Sequence, residues 1–225
     1  MVMSFKKNKY VKLSSVLNEQ VCLLLFDYFK NAAERFQIVR EKTPWCYVQE
    51  QHGFLDRSQT RGLDYPPEER GIEIYSRYGD MLFDTLLPFC KPLVEEVTEL
   101  QLVPTYSYCR LYKTGSELLP HKDRSSCEIS ASLNLGYVGD QWPLFIGGVP
   151  IYMEPGDMTV YRGCDVRHWR EKFTGEINAQ VFLHYNDING PNGEKNLYDK
   201  RIYLGYPPNP ETLEPTTDAL HKPKN

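Results

Sequence analysis

A mainly β protein, a sandwich or jelly roll braced by helices, is expected from this sequence on three grounds. Beyond about residue 103 the chain falls into short aromatic and β-branched runs separated by Gly, Pro and Asp turns. Those runs recur at regular spacing, as they do in sandwiches and jelly rolls. Ahead of them lie two helical patterns that suit packing against one face of a sheet.

Taken in order, Leu17, Val21, Leu24, Leu25, Tyr28 and Ala32 recur at helical spacing. They predict an amphipathic helix over roughly 15–36, with Ser14 or Ser15 as its cap. Residues 37–50 (QIVREKTPWCYVQE) read as one or two short strands. The polar stretch 51–70 (QHGFLDRSQTRGLDYPPEER) reads as a long loop, the kind that forms lids or binding loops. Helical pattern resumes over 78–99, where Pro88 and Pro92 are expected to split it.

Strands are then predicted at 105–112, 127–135, 143–146, 150–153, 158–161 and 179–185. In the second of these the alternation is clear. Ile129, Ala131, Leu133 and Leu135 face one way, while Glu128, Ser130, Ser132 and Asn134 face the other. Residues 206–225 form a Pro-rich polar tail. One domain over 1–205 is expected, with helical support over about 11–100 and a β core over about 103–190.

Composition narrows the function. The chain has 225 residues, 41% hydrophobic and 25% charged, which is globular and argues against disorder. A formal net charge of −4 argues against a protein built around a nucleic-acid backbone, so no nucleic-acid partner is expected. Six cysteines occur with no C-x-x-C pair, which suggests reduced thiols and a cytoplasmic setting. The basic and apolar N-terminal stretch is interrupted by Asn18, Glu19 and Gln20, so it does not read as a signal peptide. No segment reaches transmembrane length, and no membrane partner is expected.

The chemistry centres on 118-LLPHKDRSS-126. On extended backbone His121 and Asp123 point to the same side. An imidazole and a carboxylate there can hold a metal, or can simply pair at the surface. A third ligand has to come from elsewhere. His221 lies in the tail, and His184 sits in a terminal strand where a packed or surface role is the plainer reading. His168 ends a hairpin that begins at the turn Pro155-Gly156-Asp157, passes through strand MTVY, and returns on VRHWR. Two imidazoles and one carboxylate on one face leave positions open on Fe(II), and zinc also accepts such ligands.

The order of these residues resembles the Fe(II)/2-oxoglutarate-dependent dioxygenases, most closely their prolyl 4-hydroxylase-like branch. The matching residues are Tyr112, Gly115, Leu118, His121, Asp123, Pro155, Gly156, Asp157 and His168, and the likeness spans roughly 103–190. It implies a double-stranded β-helix core of the jelly-roll or cupin-like kind, braced by N-terminal helices. It also implies Fe(II), 2-oxoglutarate and O2, with hydroxylation of an unactivated C–H bond and release of succinate and CO2. His121, Asp123 and His168 are then the metal ligands, and Tyr112 matches a phenol that donates to the cosubstrate.

The match departs at one place. The family places an Arg or Lys about ten residues after the distal histidine, and here Glu176-Ile177-Asn178 offers no base. A buried dicarboxylate needs a cation or several donors. Arg170, two residues after His168 and on its face, is the preferred substitute, and Arg110 the other. Asn134, on the polar face of its strand, is a further pocket candidate. Arg124 is read as anchoring the ligand loop by ion pairing. The substrate is expected to be a peptide or protein side chain, prolyl included, or a small molecule. The alternative is a cupin-like metal protein that does not use 2-oxoglutarate.

Overall fold

The computed structural model describes residues 5–42, 53–57 and 72–207. Four α-helices are seen there: α1 (Phe5–Asn8), α2 (Glu19–Lys42), α3 (Met81–Asp84) and α4 (Leu86–Thr98). Eleven strands follow the order β1 (Tyr10–Leu13), β2 (Gly53–Arg57), β3 (Glu73–Tyr78), β4 (Leu102–Lys113), β5 (Leu118–His121), β6 (Ile129–Val138), β7 (Leu144–Ile146), β8 (Val149–Ile151), β9 (Met158–Arg162), β10 (His168–Arg170) and β11 (Ile177–Asp187).

They form two antiparallel sheets. The larger has the order β1-β9-β6-β11-β4-β3-β2, and the smaller has the order β5-β10-β7-β8. The alternation read in 127–135 sorts the faces. Ile129, Ala131, Leu133 and Leu135 join Val181, Leu183 and Val160 in the core beneath the helices. Ser130, Ser132 and Asn134 are buried on the opposite face, toward the smaller sheet. That face receives the chemistry.

Helix α2 buries Cys22, Leu25, Phe29 and Phe36 against the larger sheet. Their three- and four-residue spacing is the apolar stripe of an amphipathic helix. The helix begins later than expected and runs on to Lys42, so 37–42 is helical rather than strand. Packing of Phe36 in the core outweighs the strand preference of Ile38 and Val39, and Arg40 and Lys42 suit a helix C-terminus. Residues 43–50 lie outside the described residues.

Two other expectations need correcting. Within the predicted loop 51–70, Gly53–Arg57 is a strand paired with β3, and the remainder lies outside the described residues. The 78–99 pattern does split, but at Thr85, whereas Pro88 and Pro92 both lie inside α4. Pro88 occupies the first turn, where its missing N–H is not needed. Of the predicted tail, 208–225 lies outside the described residues. No described helix is long and apolar enough to cross a membrane.

Candidate metal centre

The three predicted ligands meet. His168 pairs with His121 in the register of β10 against β5, and Asp123 follows two residues beyond His121. Asp123 Oδ1 lies 3.3 Å from His168 Nε2 and 3.5 Å from His121 Nε2. One donor atom from each residue falls within 4.8 Å of the others.

Each ligand is oriented by a second bond. His121 Nδ1 is 2.8 Å from the Leu119 carbonyl, and His168 Nδ1 is 3.0 Å from that of Val166. A carbonyl only accepts, so Nδ1 is the donor in both rings and Nε2 is the nitrogen turned to the centre. Ser130 donates to Asp123 Oδ2 at 2.8 Å, leaving Oδ1 toward the imidazoles. The Asp123 amide donates to the Gly163 carbonyl at 3.0 Å. Gly163 has to be glycine, since a Cβ there would stand 2.2 Å from Asp123 Oδ2 and 2.4 Å from the Cys127 carbonyl.

Electrostatics agree with an anion between two imidazoles. Burial disfavours the Asp123 carboxylate, but His168 and His121 overcome this and hold its pKa well below the usual range. His168 is raised by the same carboxylate, against its burial. Two imidazole nitrogens and one carboxylate oxygen, each with its far atom already bonded, fit a divalent first-row metal.

Arg170 lies two residues past His168 and is 1% exposed. Its guanidinium sits 4.9 Å over the Trp142 ring, and Nη1 donates to the Trp142 carbonyl. Nε and Nη2 are buried with no partner among the described residues. Burial pushes the group down to about 10, still cationic at neutral pH. The Tyr112 ring stands edge-on to Trp142, and its buried hydroxyl also lacks a partner. A buried cation with two orphaned donors and a nearby orphaned phenol suits a carboxylate. Arg110, the other candidate, is only half-buried and stacks on Tyr108 and Tyr112.

Asn134 is placed differently from its two partners in the prediction. Its oxygen accepts from the Gly136 amide and Gln180 Nε2, and its nitrogen donates to the Met153 carbonyl. It knits the sheet face together. Asp157 of the turn is also structural, accepting from the Ser15 and Glu154 amides and pairing with Lys12. Arg124 does anchor the ligand loop, through a two-armed bond to Asp199 at 3.1 and 2.6 Å.

Sequence reasoning missed Ser130, Tyr161 and Asp199. Tyr161 lays its ring 4.8 Å from that of His168. Only the strand alternation, which set Ser130 on the same face as Asn134, carried any signal of these three.

No protein-family model matches the chain, and no curated protein matches it. Solved structures do. An oxidoreductase of the 2OG-Fe(II) oxygenase family from Burkholderia pseudomallei superposes with a TM-score of 0.55 at 14% identity, covering 88% of this chain and 91% of that one. A prolyl-4-hydroxylase from Pseudomonas putida gives 0.53 at 19% identity, covering 82% and 95%. EctD from S. alaskensis, solved with 2-oxoglutarate and 5-hydroxyectoine, gives 0.59 at 14% identity, covering 90% and 84%. The likeness at these identities is one of fold: a mainly β, double-stranded β-helix core with bracing helices.

Proposed function

We propose that the protein is an Fe(II)- and 2-oxoglutarate-dependent oxygenase that hydroxylates an unactivated C–H bond. One observation carries the reading. The residue that follows His168 on the same face, Arg170, buries a guanidinium with two orphaned donors beside a convergent His121–Asp123–His168 set. A metal site alone gives no reason for that cation. A dicarboxylate held between ion and guanidinium does.

Fe(II) with 2-oxoglutarate and O2 supplies the oxidising chemistry, releasing succinate and CO2. The chain's own residues bind and orient. His121 and His168 offer Nε2 and Asp123 offers Oδ1, all from one side. Arg170, with Nε and Nη2 buried and unpartnered, would hold the far carboxylate, and Tyr112 would add its hydroxyl. Trp142, Tyr161 and Phe173, all nearly fully buried, would keep water from this end of the site and strengthen those bonds. No protein nucleophile or general base is called for.

The substrate we propose is a peptide or protein side chain, prolyl residues included, or a small molecule. The Pseudomonas putida neighbour supports the first and the 5-hydroxyectoine in EctD the second. We propose a cytoplasmic setting, which a sequence with no C-x-x-C pair suits.

Anaerobic titration of metal-free protein with Fe(II) and then 2-oxoglutarate, followed by visible absorption, tests the reading. A weak charge-transfer band that grows with 2-oxoglutarate and is absent in His168→Ala is expected. Bound iron without that band moves the assignment to a cupin-like metal protein.

A further inference from the structure

Behind Asp123, on the side away from His121 and His168, lies a group of side chains that the reading above does not use. Ser130 Oγ is its hub. It stands 2.8 Å from Asp123 Oδ2, 3.2 Å from the Cys127 carbonyl and 3.0 Å from His184 Nδ1. A hydroxyl has one proton to give. The carboxylate and the carbonyl can only accept, and the carboxylate is both nearer and charged, so the proton goes to Asp123. The remaining 3.0 Å contact then needs a proton from the other partner, so His184 Nδ1–H donates to Ser130 Oγ.

We infer that His184 and Ser130 are positioning residues, a two-link chain of donors that occupies Asp123 Oδ2 and thereby fixes Oδ1 as the single metal-binding oxygen. The inference rests on the metal reading of His121, Asp123 and His168. Its chemical sense lies in how a carboxylate binds. With both oxygens free it can chelate through both, which fills a coordination position. With Oδ2 held by a hydroxyl it binds through one oxygen, and the open positions stay open for cosubstrate and dioxygen.

The surroundings hold the chain in place. His184 is 6% exposed, and its ring packs 4.7 Å from that of Tyr106. Ser130 faces His184 directly in the register of β6 against β11. Asp123, Cys127 and His184 also bring donor atoms within 4.8 Å of one another, as a second metal site would. Ser130 Oγ bridges Asp123 Oδ2 and His184 Nδ1, however, and Cys127 Sγ contacts the Tyr106 hydroxyl at 3.1 Å. Hydrogen bonds fill that cluster.

Mn(II) affinity of the full chain, measured from the electron paramagnetic resonance of free Mn(II), tests the chain of donors. Ser130→Ala is expected to weaken binding by about 10- to 100-fold, the usual cost of losing a bond that orients a ligand. His184→Ala is expected to weaken it by a smaller factor. His184→Asn, whose amide N–H can replace Nδ1–H, is expected to recover most of the loss, which a mere packing role would not predict. Ser130→Ala binding within twofold of wild type overturns the Ser130 link. Equal loss in His184→Ala and His184→Asn overturns the His184 link. Should Ser130→Ala not fold, the His184 pair decides. Wild type that takes up no Mn(II) sinks the metal reading itself, a result distinct from either of these.

Discussion

His168 stands opposite His121 across the β10–β5 pairing, with their ring centroids 4.3 Å apart. The two nitrogens meet because the smaller sheet is zipped, and an ion bound there ties its two strands together. Metal and fold are therefore linked. Wild type should melt higher with Mn(II), by about 2.7 kcal/mol of added stability at a hundredfold excess over Kd. His121→Ala, Asp123→Ala and His168→Ala should each lose that gain. Paired thermal melts with and without Mn(II) check it, and a retained gain in any of the three removes that residue from the ligand set.

Arg170 holds two donors ready for a carboxylate. Arg170→Met should weaken 2-oxoglutarate by about 2–5 kcal/mol, the cost of removing one partner of a buried charge pair. Mn(II) affinity without 2-oxoglutarate should change little. Tyr112→Phe removes one neutral donor and should cost about 0.5–1.5 kcal/mol of the same binding. Calorimetric titration of the Mn(II)-loaded variants with 2-oxoglutarate reads both. A larger loss in Arg110→Met than in Arg170→Met would reverse the assignment of the cation.

Asp199 gives a pH signature. Burial opposes its charge, but the Arg124 fork and the Tyr78 hydroxyl overcome this and lower its pKa. A carboxyl depressed in the folded state contributes stability above its unfolded value, about 3.9. That contribution is lost as pH falls through the lower folded value. Asp199→Asn should therefore be less stable than wild type by about 1.5–3 kcal/mol at neutral pH, on the scale of hydrogen bonds to a charge. The gap should narrow as pH drops below about 4. Denaturant unfolding from pH 7 to pH 3 checks it, and a gap independent of pH would contradict it.

Gly163→Ala tests the crowding around the carboxylate. The added carbon would sit 2.4 Å from a backbone oxygen, which cannot swing aside as a side chain can. Asp123 must move instead. A stability loss of about 1–3 kcal/mol is expected, as for an overpacked core, together with loss of Mn(II) binding. Folded Gly163→Ala with wild-type affinity would show that Asp123 is less constrained than its neighbours imply.

Much of this was legible in the sequence because the signals are local. Alternation in 127–135 placed Ile129 and Leu133 in the core and Ser130 and Asn134 on the other face. The two-residue spacings His121–Asp123 and His168–Arg170 set each pair on one side of a strand. What escaped was decided across the fold. Ile38 and Val39 read as strand, but Phe36 finds a core partner only in the folded sheet. Asn134 looked like a pocket residue by face, yet Gln180 and Met153, distant in the chain, already use its amide. Asp199 is joined to Arg124 by a turn with Tyr198, Asp199 and Lys200 all at positive φ, a path that no residue type there announces.

The pairing of β5 with β10 also bears on the order of events in the molecule's life. β10 lies between β5 and β7 in its sheet, so the His168 ring reaches His121 only once strands far apart in the chain have docked. Such long-range pairings are the slow part of β folding. On the proposed reading, a polypeptide emerging during synthesis cannot hold the ion until β10 is made and placed. Ion uptake would then mark a molecule whose smaller sheet is assembled, and chains that end before β10 would lack the third ligand.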